Sequence, residues 1–196
     1  MIVVKDNFCE DVEELRKLAL SQDYIMHRYF PGGSVAWRGF RPWELTYLNN
    51  PLIQKYAEKI LNLAYETYNL KDQALHKFFH ISYEEHKQNR IREWHTDPTS
   101  HAGVLYLTPN PSSESGTTIF LDGKRNDIKN KYNRLVMYPG KNKHGISSFF
   151  GDSKESGRMT FTFFISDREK FKRDLSELNK LRERHDHGYS NRYFKF

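Results

Sequence analysis

The sequence predicts a mainly β domain, a jelly roll with helices packed on its outside. Three observations predict it. Apolar residues fall at helical spacing in the first third of the chain, then change period near residue 76. Six short segments rich in β-branched and aromatic residues follow, divided by Gly, Pro, Asn and Ser. A charged helical stretch then runs from about Asp167 to Arg184. Strands at this spacing build a sandwich or barrel, and flanking helices must bury their apolar stripes against it.

Taken in order, "CEDVEELRKLALSQ" has apolar Val12, Leu15, Leu18 and Leu20 with acids near its start, so it predicts a first helix. "YFPGGSVAWRGFRPWE" has three glycines and two prolines and predicts an ordered loop with little regular structure. "NPLIQKYAEKILNLAYETYNL" is the clearest helix: Asn50 can cap it, Pro51 suits its first turn, and Ile53, Tyr56, Ala57, Ile60, Leu61, Leu63 and Ala64 form its apolar stripe. The predicted strands are "HKFFHISYEE", "AGVLYLTP", "GTTIFLDG", "NRLVMYPG", "HGISSFF" and "GRMTFTFFIS". In the last, Met159, Phe161, Phe163 and Ile165 should point to one side, and Arg158, Thr160, Thr162 and Phe164 to the other. One domain over 1–196 is expected: a helical part at 1–75, a jelly-roll core at 76–166, and a C-terminal helix and tail at 167–196.

Composition narrows the setting. Hydrophobic residues make up only 37%, but aromatics reach 15%, and each buried ring removes a large area from water. No apolar run approaches the ~20 residues of a membrane span. "MIVVKDNFCE" lacks a basic region followed by a long apolar stretch, so no secretory signal is expected there, and the single Cys9 rules out an internal disulfide framework. A cytoplasmic location is the expectation. The net charge of +6 permits acidic partners, but the charges near the C-terminus are of mixed sign, as on a solvated helix face.

The segment "IREWHTDPTS" carries the chemistry. In extended chain His95 and Asp97 share a face. Alone, such a pair also fits an ordinary polar loop. A third ligand is available in His144, just after "RLVMYPG". Two histidines and one carboxylate on one face of an ion leave its opposite positions open, the arrangement of non-haem Fe(II) oxygenases. Arg158 opens an otherwise apolar strand and shares a face with Thr160. Either it lies at a solvated strand end or it points inward, where an anion such as a dicarboxylate cosubstrate must meet it.

From about Phe78 to Ile165 the chain resembles the 2-oxoglutarate- and Fe(II)-dependent dioxygenases, on the side that includes prolyl 4-hydroxylases. The motifs that carry the resemblance are "HISYEE", "WHTD", "GVLYLTPNPSSESGTTIF", "NRLVMYPGKNKHG" and "GRMTFTFFI". Ser115 stands where the family has the first glycine of Gly-Gly-x-Thr-x-Phe. The resemblance implies a double-stranded β-helix of cupin-like type. It implies that His95, Asp97 and His144 hold Fe(II), and that Arg158 binds the distal carboxylate of 2-oxoglutarate with Thr160 beside it. It also implies that Tyr106 contacts that carboxylate and that Tyr83 lines the pocket, although both tyrosines also suit core packing. The implied activity couples oxidative decarboxylation of 2-oxoglutarate by O2 to hydroxylation of a peptidyl residue or small molecule, with ascorbate as a reductant. Asp97 is intact, whereas a related halogenase has a small residue there.

Two other function classes compete. The base-demethylating branch has a second arginine six residues after the cosubstrate arginine; here that position is Phe164, which argues against nucleic acid. A non-catalytic jelly-roll binding protein is the other. His76 and His80 read as ordinary strand residues, His101 as an exposed loop residue within reach of substrate, and His185 and His187 as surface. Trp37, Arg38, Arg41 and Trp43 lie in a 30–45 loop that either seals one end of the barrel or forms a substrate lid.

Overall fold

The structure is a computed structural model that describes residues 1–26, 39–85, 94–173, 176, 177 and 180. It holds two antiparallel sheets. Strands β1 (Val3–Lys5), β2 (Tyr24–Met26), β3 (Phe40–Pro42), β4 (Gln73–Ser82), β5 (His101–Tyr106), β8 (Leu135–Pro139) and β10 (Arg158–Asp167) form the larger, in the order β1-β8-β5-β10-β4-β3-β2. Strands β6 (Thr117–Leu121), β7 (Lys124–Ile128) and β9 (His144–Ile146) form the smaller, in the order β7-β6-β9. Helices α1 (Val12–Leu20) and α2 (Pro51–Tyr68) precede the core strands. This is the predicted architecture.

Local chemistry explains the helices. The Asn50 side chain accepts from Leu52 N–H at 2.9 Å, Pro51 occupies the first turn, and Asn69 ends α2 in the left-handed conformation at φ 55°. The apolar faces of both helices, through Leu15, Ala19, Ile53, Tyr56 and Ile60, pack with Met159, Phe161, Phe163 and Ile165 of β10. Each such side chain contributes about 1.5–3 kcal/mol by leaving water. The opposite face of the same sheet contributes Ala102, Val104, Tyr106, Val136 and Tyr138 to a second cluster with Ile119 of β6. The split of β10 into two faces is as predicted.

Several expectations need correction. The segment read as irregular loop contains β3, and Trp43 N–H donates to Asp23 O at 3.0 Å beside it. Strand β7, "KRNDI", was not expected, because Ile128 is its one apolar residue and, among the described residues, it pairs only with β6. β4 begins and ends three residues before its predicted bounds, so Tyr83 falls just past it. His101 is not an exposed loop residue: it is buried in β5, pairs with Ile165 and lies 4.0 Å from the Tyr68 ring, on the helix side. The C-terminal helix starts after Asp167, whose side chain accepts from Glu169 and Lys170 N–H. Most of the stretch predicted to continue that helix, the tail with His185 and His187, and Trp37 and Arg38 lie outside the described residues.

Candidate active site

His95 and His144 are joined by a β-bridge: each backbone N–H donates to the other's carbonyl, at 2.9 and 2.8 Å. Asp97 N–H donates to Gly140 O at 2.9 Å, and Gly140 N–H to Ser100 O at 3.0 Å. The turn carrying Asp97 thus hangs from the end of β8. Gly140 permits this approach, since a Cβ there would stand 2.4 Å from Thr99 O.

These backbone contacts bring the three predicted ligands together. One ligand atom from each of His95, Asp97 and His144 lies within 4.8 Å of the others. His144 Nε2 is 3.0 Å from Asp97 Oδ2, and His95 Nε2 is 3.6 Å from Asp97 Oδ1. The side chains of Asp97 and His144 are only 8% and 5% exposed, while that of His95 is 40% exposed. His144 Nδ1 lies 2.7 Å from Asn142 O. A carbonyl can only accept, so Nδ1 carries the proton, and in the neutral ring Nε2 presents a lone pair. Asp97 Oδ2 is buried and makes no hydrogen bond among the described residues. With a neutral His144 ring, two acceptor atoms face each other at 3.0 Å, an arrangement that a divalent cation resolves. The donor set of two imidazoles and one carboxylate fits Fe(II) with open positions.

Arg158 points inward, not to a solvated end: it is 2% exposed. Its Nε donates to Ser115 O at 2.8 Å, and Nη2 to Gly116 O and Thr117 Oγ1, each at 3.4 Å. The Tyr106 hydroxyl is a further hydrogen-bond partner of the guanidinium. Its Cζ is 5.3 Å from the Tyr106 ring centre. Burial pulls the guanidinium pKa down, yet an arginine keeps its charge in a protein. Tyr106 is fully buried, with its hydroxyl 2.7 Å from Thr117 Oγ1, and burial pushes its pKa up, so it stays a protonated phenol. Thr160 pairs directly with Tyr106 across β5 and β10, and its hydroxyl lies 2.9 Å from that of Thr162.

Tyr138 joins the two groups. Its ring is 4.6 Å from that of His144. Burial first, then the Asp97 charge, raises its pKa, while the Arg158 charge opposes them. Tyr83 lies elsewhere: it packs with the helix-side cluster, 5.3 Å from the Phe40 ring, and not in the inner cluster that holds Tyr106. Sequence reasoning missed Thr117, Tyr138 and Asn142. Alternation along "TTIFL" and "LVMYP" could have found the first two, since Thr117 aligns with inward Ile119 and Tyr138 with inward Val136. Nothing in the sequence marks the Asn142 carbonyl.

No family profile matches the sequence, and no curated protein matches it. Solved structures do. The fold is similar to a prolyl-4-hydroxylase of Pseudomonas putida, with a TM-score of 0.58 and 13% identity over 85% of this chain and 92% of that one. It is similar to the epimerase SnoN in complex with Fe3+, alpha ketoglutarate and nogalamycin RO, at TM-score 0.58 and 12% identity over 85% and 78% of the two chains. It is also similar to HygX from Streptomyces hygroscopicus with nickel and 2-oxoglutarate bound, at TM-score 0.57 and 12% identity over 84% and 82%. The fold is thus the jelly roll of 2-oxoglutarate and Fe(II) oxygenases. No helix among the described residues is long and apolar enough to cross a membrane.

Proposed function

We propose that this jelly roll is a non-haem Fe(II) dioxygenase that couples oxidative decarboxylation of 2-oxoglutarate to hydroxylation of a peptidyl residue or small molecule. One observation carries the reading: His144 Nε2 and Asp97 Oδ2 face each other at 3.0 Å beside His95, with His144 Nδ1 already committed to Asn142 O. His95, Asp97 and His144 would hold the iron, which with 2-oxoglutarate and O2 supplies the oxidising power that side chains lack.

The protein's own part is binding and orientation. Arg158 would take the distal carboxylate of 2-oxoglutarate with its guanidinium. Two of its nitrogens are already fixed by Ser115 O, Gly116 O and Thr117 Oγ1, so the guanidinium is oriented before the cosubstrate arrives. Tyr106, held by Thr117, would donate its phenol to the same carboxylate, and Thr160 stands beside it. The carboxylate would in turn offset the desolvated guanidinium charge. Asp97 completes the ligand set, which favours hydroxylation as the outcome. Phe164, where the nucleic-acid branch has an arginine, packs among aromatic rings, 6.0 Å from both His76 and Phe78.

The test is succinate release from 2-oxoglutarate with Fe(II) and ascorbate, run across peptide, amino-acid and nucleic-acid panels. Asp97→Ala should abolish succinate production while the far-ultraviolet circular dichroism stays that of the parent. Full activity in Asp97→Ala would overturn the metal assignment, and with it the function.

A further inference from the structure

We infer that Asn130 is a positioning residue for the cosubstrate: through Ser115 it fixes the carbonyl that orients Arg158, an inference that rests on the oxygenase reading above. Arg158 Nε donates to Ser115 O at 2.8 Å, and Nη2 donates to Gly116 O and Thr117 Oγ1. The segment leading into β6 therefore aims the guanidinium, and the aim is only as good as that segment is fixed. Ser115 Oγ donates to Ser112 O at 2.5 Å, and Ser115 N–H donates to the same carbonyl at 3.1 Å. The hydroxyl proton is thus committed, and Oγ is left to accept. Asn130 Nδ2 supplies the donor, at 3.0 Å. This also sets the amide orientation, because Oδ1 in that place would bring two acceptors together. Ser115 and Asn130 are both buried, so water does not compete for the bond. A glycine at 115, which the resemblance leads one to expect, has no hydroxyl and could not make this link.

Asn130 lies in the connection between β7 and β8, and that connection reaches both groups assigned to the distal carboxylate. At its start the Gly116 backbone lies directly against it: a Cβ on Gly116 would stand 1.7 Å from Ile128 O and 2.9 Å from Asn130 N. At its end Asn133 N–H donates to Tyr106 O at 2.9 Å, and Tyr106 N–H donates to Arg134 O at 3.0 Å. Backbone bonds hold the Tyr106 strand, whereas the Asn130 side chain holds the carbonyl that meets Arg158. Stability does not account for that side chain. Its Oδ1 is buried with no hydrogen-bond partner among the described residues, which costs at least as much as the Nδ2 bond contributes. A small apolar residue would fill the position without that cost.

The test compares Asn130→Ala, Ser115→Ala and the double variant with the parent, each as the full chain. Calorimetric titration of 2-oxoglutarate into the Mn(II)-loaded protein reads the cosubstrate. Electron paramagnetic resonance reads Mn(II) affinity, and thermal unfolding without ligand reads stability. Each single variant should bind 2-oxoglutarate about three- to tenfold more weakly, the range for one neutral hydrogen bond. Mn(II) affinity should stay within about twofold, because His95, Asp97 and His144 are untouched. The unfolding midpoint of Asn130→Ala should stay within about 3 °C of the parent, since the lost bond and the removed unpaired oxygen offset each other. The double variant should lose no more cosubstrate affinity than either single one, because each change breaks the same link.

Unchanged 2-oxoglutarate affinity in Asn130→Ala overturns the inference. So do losses that add in the double variant, which would mean that the two residues act separately. A larger fall in the midpoint of Asn130→Ala, or a chain that does not fold, also overturns it, because Asn130 would then serve the fold. A parallel loss of Mn(II) affinity has the same meaning: the inner face as a whole would have loosened, not the aim of Arg158. The titration of the parent separates the two layers. If the Mn(II)-loaded parent does not bind 2-oxoglutarate, the oxygenase reading falls and this inference with it; if the parent binds it and the variants bind it equally well, only this inference falls.

Discussion

The two faces of the larger sheet share the same strands and differ in everything else. On the helix side, β10 presents Met159, Phe161, Phe163 and Ile165, all buried among apolar neighbours. On the inner side it presents Arg158, Thr160 and Thr162, also buried, among hydroxyls and the Tyr106 phenol. Burial is equal, so exposure does not separate a stabilising face from a working one. Chemistry does: the helix side is largely apolar, with the buried His101 Nδ1 as its exception, whereas the inner side gathers a guanidinium, hydroxyls and Asp97 Oδ2, which has no hydrogen-bond partner among the described residues. Such groups reduce stability unless a ligand meets them.

The sharpest way to break this comparison is to cut each face separately. On the helix side, Phe161→Ala should cost about 3–5 kcal/mol of stability, because a fully buried ring leaves a cavity that the sheet cannot close. Urea unfolding measures it. The cosubstrate affinity of the molecules that remain folded should stay within about twofold of the parent. A loss below about 1 kcal/mol would mean that the helix side is loosely packed and that the contrast between the faces is false.

The next effect tests whether the helix side is free of working polar groups. His101 is its exception. Burial, with its ring 4.0 Å from Tyr68, holds its pKa down to about 4 against an ordinary value of 6.5. Between those values the unfolded chain binds the proton and the folded chain does not. His101 therefore has no effect on the pH dependence above about pH 6.5, and stability falls as pH drops from there toward 4, by at most about 3 kcal/mol. About 2 kcal/mol of that should be gone by pH 5. His101→Phe, measured by urea unfolding at pH 7.5 and pH 5 without added metal, should remove most of this dependence. An unchanged slope would mean that another group titrates there.

How much of this was legible in the sequence follows the same division. Alternation in "RMTFTFFI" exposed both faces of β10, and caps and stripe exposed α2, because burial of one face imposes a period that survives in the sequence. The candidate ligands His95, Asp97 and His144 were legible as a group only through the family resemblance; what joins segments about fifty residues apart is the β-bridge and the Gly140 contact. Strand β7 was illegible because "KRNDI" has a single apolar residue, Ile128, and β2 and β3 because three residues cannot establish a period. Thr117 was visible but unremarkable. Its role comes from standing between Tyr106 and Arg158, which is a property of two strands and not of one.

Arg158 provides the smallest effect and the closest test of the inner face. Arg158→Met keeps an unbranched apolar stem and removes the guanidinium with its charge. Three acceptors, Ser115 O, Gly116 O and Thr117 Oγ1, lose a donor, while one desolvated guanidinium disappears. These contributions oppose each other, so stability without ligand should change by no more than about 1 kcal/mol. Affinity for 2-oxoglutarate should fall by about 1.5–3 kcal/mol, the range for hydrogen bonds to charged groups. Calorimetric titration of 2-oxoglutarate into the Mn(II)-loaded variant reads the second quantity, and urea unfolding the first. An unfolding loss of several kcal/mol with unchanged cosubstrate affinity would make Arg158 a structural residue like its neighbours on the helix side. The affinity loss without the stability loss would instead separate the faces as argued: one tolerates removal of a charge because that charge was placed for a ligand, and the other does not tolerate removal of a ring because that ring was placed for the fold.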